Sequence, residues 1–177
     1  MSSVISKQEY GELVSQHARR VLSFVMRLLA DRNEAEDVAQ DVFVKAYQKL
    51  DTFRGDSPFL SWLLRIAYHE SIDHLRRRQP HMVDIDDITT TNDLMTCSAL
   101  DMELTTGNEE RIRLLQEAVE QLKPDEQLLI HMYYYEDRSL NDIAYITDVK
   151  PNTLSARLHR IRERLLIIIK EHEQNRR

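Results

Sequence analysis

The sequence has few of the residues that interrupt helices or cross-link chains. It contains 3 Gly, 4 Pro and 1 Cys among 177 residues. Scarce glycine and proline favour long helices over turn-rich β structure. The single cysteine, Cys97, cannot form an internal disulfide or a thiolate metal site. We therefore expect a reduced, intracellular protein.

Long hydrophobic runs are also missing. No stretch approaches the roughly 18 apolar residues of a membrane span, and the N-terminus has no apolar core of signal-peptide length. The longest apolar run, LLIII at 165–169, lies inside an amphipathic pattern. These absences predict a cytoplasmic protein whose own chain makes no membrane contact.

The negative charge is confined to one short segment. The formal net charge is -6, yet residues 80–110 carry eight Asp or Glu and no Lys or Arg. The parts before and after this segment each have a net charge of +1. The global charge is therefore a poor guide to partners. The segment is rich in Thr, Asp and Asn without a helical period, which predicts a flexible linker over 80–108.

The linker divides the chain into two predicted helical domains, 1–79 and 109–177, so the expected fold class is all-α. In the first domain, apolar residues recur at helical spacing over 6–29 and 34–50. The second helix is expected to bury Val38, Val42, Phe43, Tyr47 and Leu50. Asn33 with Glu36 predicts its N-terminal cap. Ser57 and Pro58 predict the start of a third helix, which Pro80 would end.

The second domain is also predicted to be helical. Asn108 and Pro124 predict the starts of two helices. The first of these is expected to turn inward Ile112, Leu115, Ala118, Val119 and Leu122. Ser139 with Asp142 predicts a cap on a short helix, and Pro151 starts a longer last one. A short helix, a tight turn and a longer helix form a helix-turn-helix, which favours DNA binding.

The last helix has two predicted faces. Successive residues rotate by about 100°, which places Leu154, Leu158, Ile161 and Leu165 on one buried stripe. The opposite face carries Asn152, Ser155, Ala156, His159 and Glu163, flanked by Arg160 and Arg162. Small polar residues ahead of arginines suit entry into the major groove, where arginine binds phosphates or guanine edges. A solvated face of an ordinary bundle helix is the alternative.

Two further surfaces have both a functional and an ordinary interpretation. In the second helix, one polar face is either solvated or a docking surface for a basic partner helix; its members are Asp37, Gln40, Asp41, Val44 and Gln48. In the third helix, aromatic residues alternate with arginines. This pattern suits stacking of the aromatic rings on unpaired nucleobases beside contacts to phosphates. On spacing alone, Phe59 and Trp62 are better explained as core residues.

Nothing in the sequence indicates catalysis or a cofactor. His69 and His74 are five residues apart, about 140° around a helix, whereas zinc-binding helices place two histidines four apart on one face. No glycine-rich phosphate loop and no nucleophile with an adjacent base can be argued. We therefore predict a protein that is not an enzyme and has no metal or other cofactor.

Two segments, in this order along the chain, resemble the extracytoplasmic-function group of the sigma-70 family of RNA polymerase sigma factors. They are RLLADRNEAEDVAQDVFVKAYQKLDTFRGDSPFLSWLLRIAYHESIDHLRR and LKPDEQLLIHMYYYEDRSLNDIAYITDVKPNTLSARLHRIRERL. The resemblance implies core polymerase and promoter DNA as partners. It also implies an anti-sigma factor, and a monomer when the protein is free.

The resemblance implies a role for each segment. The helix at 34–50 would dock on the β′ clamp helices through Asp37, Gln40, Asp41, Val44 and Gln48. The loop and helix after it would open the -10 element and hold a flipped base, through Phe53, Asp56, Ser57, Phe59, Trp62, Arg65, His69, Arg76 and Arg77. The last helix would recognise the -35 element through Asn152, Ser155, Ala156, His159, Arg160 and Arg162. The second domain would also contact the β flap, and the linker would thread the polymerase cleft.

Three positions depart from the common pattern of this group. His69 stands where Asn is usual, and Asn152 and Ser155 stand where Gly and Lys or Arg are usual. These departures put the promoter sequence in doubt and not the fold. The competing function is a helix-turn-helix regulator that binds an operator as a dimer without polymerase. A helical scaffold with no DNA role is a third possibility, but it leaves the arginines of the last helix unexplained.

Overall fold

The computed structural model describes residues 5–78 and 109–174 of the chain. Every regular element in these two ranges is helical, which confirms the all-α prediction. The chain divides into two compact units, one built mainly on each described range. The predicted linker, the Pro80 stop and the Asn108 cap lie outside the described residues. The predicted domain limits therefore stay a prediction.

The N-terminal range forms three helices that each pack against the other two. They are α1 (Lys7–Leu28), α2 (Arg32–Gln48) and α3 (Phe59–Arg78). A 3-10 turn, Leu50–Thr52, follows α2. Val21, Val42 and Leu63, one from each helix, are completely buried and mark the core.

The start of α2 differs from the prediction. Asp31, and not Asn33, is the N-cap: its side chain accepts a hydrogen bond from the backbone N–H of Glu34 at 3.1 Å. Both Asp and Asn can cap a helix. The earlier start places Arg32 one turn before Glu36, and the two side chains form an ion pair at 2.8 Å. Helical pairs at this spacing add a few tenths of a kcal/mol, ~0.3, to helix stability.

Small residues let α2 lie close to both of its neighbours. Its buried positions are Ala35, Val38, Ala39, Val42 and Ala46. The prediction that Tyr47 is buried is wrong, since its side chain is 43% exposed. The predicted burial of Phe43 and Leu50 is only partial. The three alanines lie at helical spacing, so the buried face of α2 is centred nearer Ala46 than Tyr47. In the sequence, the larger apolar residues indicate a buried face nearer Tyr47.

The C-terminal range contains four α-helices. They are α4 (Glu109–Glu120), α5 (Pro124–Ile130), α6 (Leu140–Thr147) and α7 (Pro151–Gln174), and a π-helical turn, His131–Tyr135, follows α5. Helices α4 and α5 both pack on α7. Ile112 was expected to face inward but is 48% exposed, and Leu114 is buried in its place. The predicted stripe on α7, Leu154, Leu158, Ile161 and Leu165, is confirmed at 1–2% exposure.

The predicted boundaries of α6 and α7 are confirmed. The hydroxyl of Ser139 accepts a hydrogen bond from the backbone N–H of Asp142 at 3.1 Å. Helix α7 begins at Pro151, three residues after Asp148. Asp148 has a φ of 60°, a left-handed conformation that aspartate tolerates better than most residues. A short helix therefore ends abruptly and a long one starts in a new direction.

Candidate functional site

The polar face of α2 is exposed along its whole length. Asp37, Gln40, Asp41, Val44 and Gln48 all lie at the surface. Val44 is an exposed valine, at 56%, beside the carboxylates. The five side chains sit opposite Val38 and Val42, which are 4% and 0% exposed. One helix side thus anchors α2, and the other presents a mixed acidic and apolar surface.

Tyr47 extends this surface and was not expected in it. Its ring lies 5.3 Å from the ring of Tyr10, which is buried. The Tyr10 hydroxyl donates to the carbonyl oxygen of Phe43 at 2.5 Å, and burial raises the pKa of this phenol. Tyr47 follows Val44 by three positions, the helical spacing that could have revealed it.

The residues predicted to hold an unpaired base lie around one short loop. Residues 54–58 separate the 3-10 turn from α3, and Gly55 adopts a φ of +77° there. Asp56 is exposed and Ser57 is half-buried. Helix α3 starts at Phe59, and the carbonyl oxygen of Pro58 accepts its first hydrogen bond, from Trp62, at 3.2 Å. The start predicted from Ser57 and Pro58 is therefore one residue early.

The aromatic residues of this region contact each other. The ring centroids of Phe53, Phe59 and Trp62 lie 5.3–5.5 Å apart in all three pairs. Trp62 is only 8% exposed. Its ring is thus covered, so the prediction that Trp62 itself receives a base is not supported by its placement. Phe53 and Phe59 are half-buried.

The remaining predicted residues of α3 lie further along the helix. Arg76 and Arg77 are exposed in its last turn, while Arg65 and His69 are half-buried. The Nδ1 atom of His69 lies 2.7 Å from the carbonyl oxygen of Arg65. Lys45 of α2 and Glu70 form an ion pair beside the two exposed arginines. The structure therefore keeps two basic side chains at the surface and holds His69 on its own helix.

The outward face of α7 is less open than its sequence indicates. Asn152 is exposed, whereas Ser155, Ala156, His159 and Arg160 are half-buried. His159 lies beside Glu163, with Nε2 to Oε1 at 3.4 Å. The most accessible predicted contact is thus at the first turn of the helix, where a base edge could approach it.

The prediction that Arg162 borders this face is wrong. Its side chain is 2% exposed, and its Nε donates to the Tyr134 hydroxyl at 2.5 Å. The guanidinium carbon lies 5.6 Å and 5.4 Å from the ring centres of Tyr133 and Tyr134. Contacts of this kind are cation–π interactions. Two tyrosines that follow α5 thus draw Arg162 into the core.

Two more arginines of α7 pair with the first turn of α5. Arg157 pairs with Asp125, and Arg164 pairs with Glu126 at 2.6 Å. Their guanidinium groups therefore neutralise carboxylates within the same unit. The fold thus engages Arg157, Arg162 and Arg164, which the sequence pattern did not reveal.

The described residues contain neither a membrane-spanning helix nor a cluster of metal ligands. No helix within 5–78 or 109–174 is long and apolar enough to cross a membrane. Over those same ranges, no group of three or more His, Cys, Asp or Glu side chains could hold a metal ion.

Comparison with known proteins identifies the family. Residues 13–81 match the family model of sigma-70 region 2, and residues 112–165 match that of sigma-70 region 4. The chain is 32% identical over 174 residues to the RNA polymerase sigma-H factor of Pseudomonas aeruginosa, covering 89% of this chain and 84% of that protein. It is also 32% identical over 163 residues to the ECF RNA polymerase sigma-E factor of Escherichia coli K12, with coverages of 89% and 84%. The chain belongs to the extracytoplasmic-function (ECF) group of the sigma-70 family.

The fold of this sigma factor agrees with that assignment. It matches the sigma factor RpoE of Bartonella quintana, solved with the anti-sigma factor NepR, at a TM-score of 0.63. The match covers 92% of this chain and 98% of that one at 21% identity. As a sigma factor, the protein acts in transcription initiation with RNA polymerase and is not an enzyme. The matches support this function and not the operator-binding alternative.

Proposed function

We propose a division of labour between the two units of this sigma factor. The N-terminal unit docks on core polymerase and opens the -10 element, and the C-terminal unit recognises the -35 element. The observation that carries the proposal is the exposed face of α2. It is a continuous surface of carboxylate, amide and apolar side chains, and no core requirement of the N-terminal unit explains its apolar members.

The chemistry of the α2 face suits a basic and partly apolar partner helix. Asp37 and Asp41 supply negative charge, while Val44 and Tyr47, at 56% and 43% exposure, supply apolar area. Exposed apolar side chains within a polar rim are typical of protein interfaces. We assign this face to the β′ clamp helices of core polymerase, with Gln40 and Gln48 as polar contacts at its rim.

The 54–58 loop and α3 are proposed to act on the -10 element. Extruding a base from the duplex costs about 3 kcal/mol of stacking and pairing. A pocket that encloses the extruded base can therefore select which base is bound. Asp56 and Ser57 can offer hydrogen-bonding groups to the edge of that base. Arg76 and Arg77, which are exposed on the last turn of α3, are proposed to contact phosphates.

The first turns of α7 are proposed to enter the major groove. Asn152 is exposed there, and Ser155, Ala156, His159 and Arg160 follow on the same side. Arg157, Arg162 and Arg164 are engaged within the unit, and residues 111–177 have a net charge of only +1, so the unit can neutralise few phosphates. Each phosphate contact contributes to salt-dependent affinity, so we expect weak DNA binding by the sigma factor alone and tight binding only with polymerase.

Two further partners complete the proposal. The Bartonella sigma factor was solved with an anti-sigma factor, and we propose a partner of the same class for this chain. The acidic segment 80–108 is proposed to pass through the polymerase cleft, where negative charge resembles that of nucleic acid. We also propose a β flap contact for the C-terminal unit.

The test is binding of core polymerase by charge-reversed variants. Asp37→Arg and Asp41→Arg should each weaken core binding by roughly tenfold or more, since like charges would meet across the interface. Thermal melting should stay within about 2 °C of the parent, because exposed substitutions rarely cost more than about 0.5 kcal/mol. Glu12→Arg, an exposed carboxylate on α1, is the matched control and should bind as the parent does.

Transcription from mapped start sites gives the second readout. The two α2 variants should recover activity when their concentration is raised, because the defect lies in assembly. Unchanged core affinity for both variants would remove the docking role of this face. Tight, sequence-specific DNA binding by the free protein at physiological salt would instead favour the operator-binding class.

A further inference from the structure

A fourth ring joins the aromatic cluster beside the 54–58 loop. His17, from the middle of α1, lies with its ring centre 5.9 Å from that of Phe59, and the two planes differ by 33°. Phe59 in turn contacts Phe53 and Trp62 at 5.3 Å and 5.5 Å. The cluster therefore links α1, the end of the 3-10 turn and the start of α3.

This cluster closes the loop at both ends. Phe53 directly precedes the loop and Phe59 directly follows it, and their rings meet edge to face at 90°. Between them, residues 54, 55, 56 and 58 are exposed. The loop is thus a five-residue excursion whose two ends are held together by one pair of rings. Fixing the ends removes conformations that the loop would otherwise sample.

His17 ties this closed loop to the helical bundle. Trp62 is on the same helix as Phe59, so it cannot fix the position of Phe59 against a different helix. His17 does so from α1. Partial burial lowers the pKa of its imidazole, and the nearby positive charge of Arg20 lowers it further. At neutral pH the ring is therefore uncharged, which suits packing against a phenyl ring.

We propose that His17 is a positioning residue for promoter opening, holding Phe59 and thereby the 54–58 loop in the conformation that receives the unpaired base. This inference rests on the proposed function of the loop. A site already in its binding conformation avoids the ordering cost that a mobile loop incurs when it binds. Asp56 and Ser57 would contact the base, and His17 would act only through Phe59.

The experiment measures the rate of promoter opening by reconstituted holoenzyme. His17→Ala should open a fully duplex promoter about fivefold more slowly, the effect expected for loss of one ring contact. On the same promoter with its -10 region already unpaired, the rate at which holoenzyme forms a transcribing complex should fall less than about twofold, because capture of the base no longer competes with reclosing of the duplex. His17→Phe keeps a ring at this position and should restore the parental rate.

Two controls separate positioning from loss of structure. Gln16→Ala changes the exposed neighbour of His17 on α1 and should behave as the parent. Core binding and thermal melting of His17→Ala should match those of Gln16→Ala, since His17 lies at the edge of the core. A parental opening rate in His17→Ala would overturn the inference. So would an equal defect on both templates, or a failure of His17→Phe to restore opening.

A variant of the loop itself distinguishes the two proposals. If Asp56→Ala slows opening and His17→Ala does not, the loop functions as proposed and the inference about His17 is wrong. If Asp56→Ala and Ser57→Ala both open the promoter as the parent does, the proposed role of the loop fails and the inference falls with it. Slow opening in both Asp56→Ala and His17→Ala, with recovery in His17→Phe, supports both.

Discussion

Helices α2 and α7 carry charged residues at similar density, but they use them in opposite ways. On α2, Asp37 and Asp41 point into solvent from the side opposite the core. On α7, Arg162 is buried against two tyrosines, and Arg157 pairs with Asp125. The carboxylates of Asp37 and Asp41 are therefore available to a partner, whereas most of the arginines of α7 stabilise the unit that contains them.

The difference comes from what each helix meets. Helix α2 packs on α1 and α3 mainly through apolar side chains, and Asp37 and Asp41 lie on its other side, away from both helices. Helix α7 meets the start of α5, where Asp125 and Glu126 occupy the first turn. Carboxylates are favourable at a helix N-terminus, and the arginines of α7 are close enough to pair with them. A basic stretch is thus not by itself a DNA-binding surface.

Reversing a charge on each helix should give the largest contrast. Arg162→Glu should cost about 4 kcal/mol or more, because a carboxylate would be buried against tyrosine rings in place of a paired guanidinium. We expect the C-terminal unit to unfold, measured as lost helical circular dichroism. Trp62 is the single tryptophan and lies in the N-terminal unit, so its fluorescence transition should remain.

The matched change on α2, Asp41→Arg, should alter the free energy of unfolding by less than about 0.5 kcal/mol. Arg162→Met, which keeps much of the side-chain volume without the charge, should cost roughly 1–2 kcal/mol. Melting of Arg162→Glu at the parental temperature would mean that Arg162 is exposed after all, and the comparison between the helices would fail.

Truncating the apolar stripe of α7 should have the next largest effect. Leu158 is 1% exposed between Leu154 and Ile161, and Leu158→Ala should cost about 2–5 kcal/mol through the cavity it leaves. Urea unfolding followed by circular dichroism measures this loss. Leu158→Met conserves volume and should cost less than about 1.5 kcal/mol. Equal stability of Leu158→Ala and the parent would place the stripe at the surface.

Arg160 tests whether α7 keeps any arginine for DNA. Arg160→Ala should weaken use of the -35 element by about 1–3 kcal/mol in DNA affinity while barely changing the melting temperature. Transcription from matched promoters, with and without the -35 element, measures this directly. If Arg160→Ala transcribes both templates as the parent does, α7 does not recognise DNA through this residue. If Arg160→Ala lowers the melting temperature as much as Leu158→Ala does, Arg160 stabilises the fold instead of recognising DNA.

The smallest expected effect comes from the carboxylate of α2 that does turn inward. Glu34 accepts a hydrogen bond from Arg78, and its other carboxylate oxygen lies 3.3 Å from Nε2 of His74, which joins the start of α2 to the end of α3. Glu34→Gln should cost about 1 kcal/mol, since the pair is partly exposed. Trp62 fluorescence during urea unfolding reports the change.

Glu36→Gln is the control for Glu34, since Glu36 pairs with Arg32 on its own helix and its side chain is 42% exposed. It should cost under about 0.5 kcal/mol. If both variants lose the same free energy of unfolding, the contact between helices made by Glu34 adds no more stability than the pair that Glu36 makes within one helix.

Periodicity determined most of the helical layout. The α7 stripe, the Ser139 cap and the proline starts of α5 and α7 follow from spacing and side-chain chemistry that act within one or two turns. The predictions that failed involve choices between similar local options. Asp31 and Asn33 can both cap α2, and Ile112 and Leu114 are both apolar. Which one is used depends on packing against other helices.

The candidate site divides in the same way. Exposure of Asp37, Gln40 and Asp41 follows from their position opposite Val38 and Val42, so the sequence was sufficient to predict it. The burial of Arg162, the exposure of Tyr47 and the ring contacts of His17 and Trp62 were decided only by the tertiary structure. Helical spacing states which residues share a side of one helix. Only the packed helices bring Tyr134 to Arg162, or Phe59 to His17, because those partners are distant in sequence and become neighbours only when the chain folds.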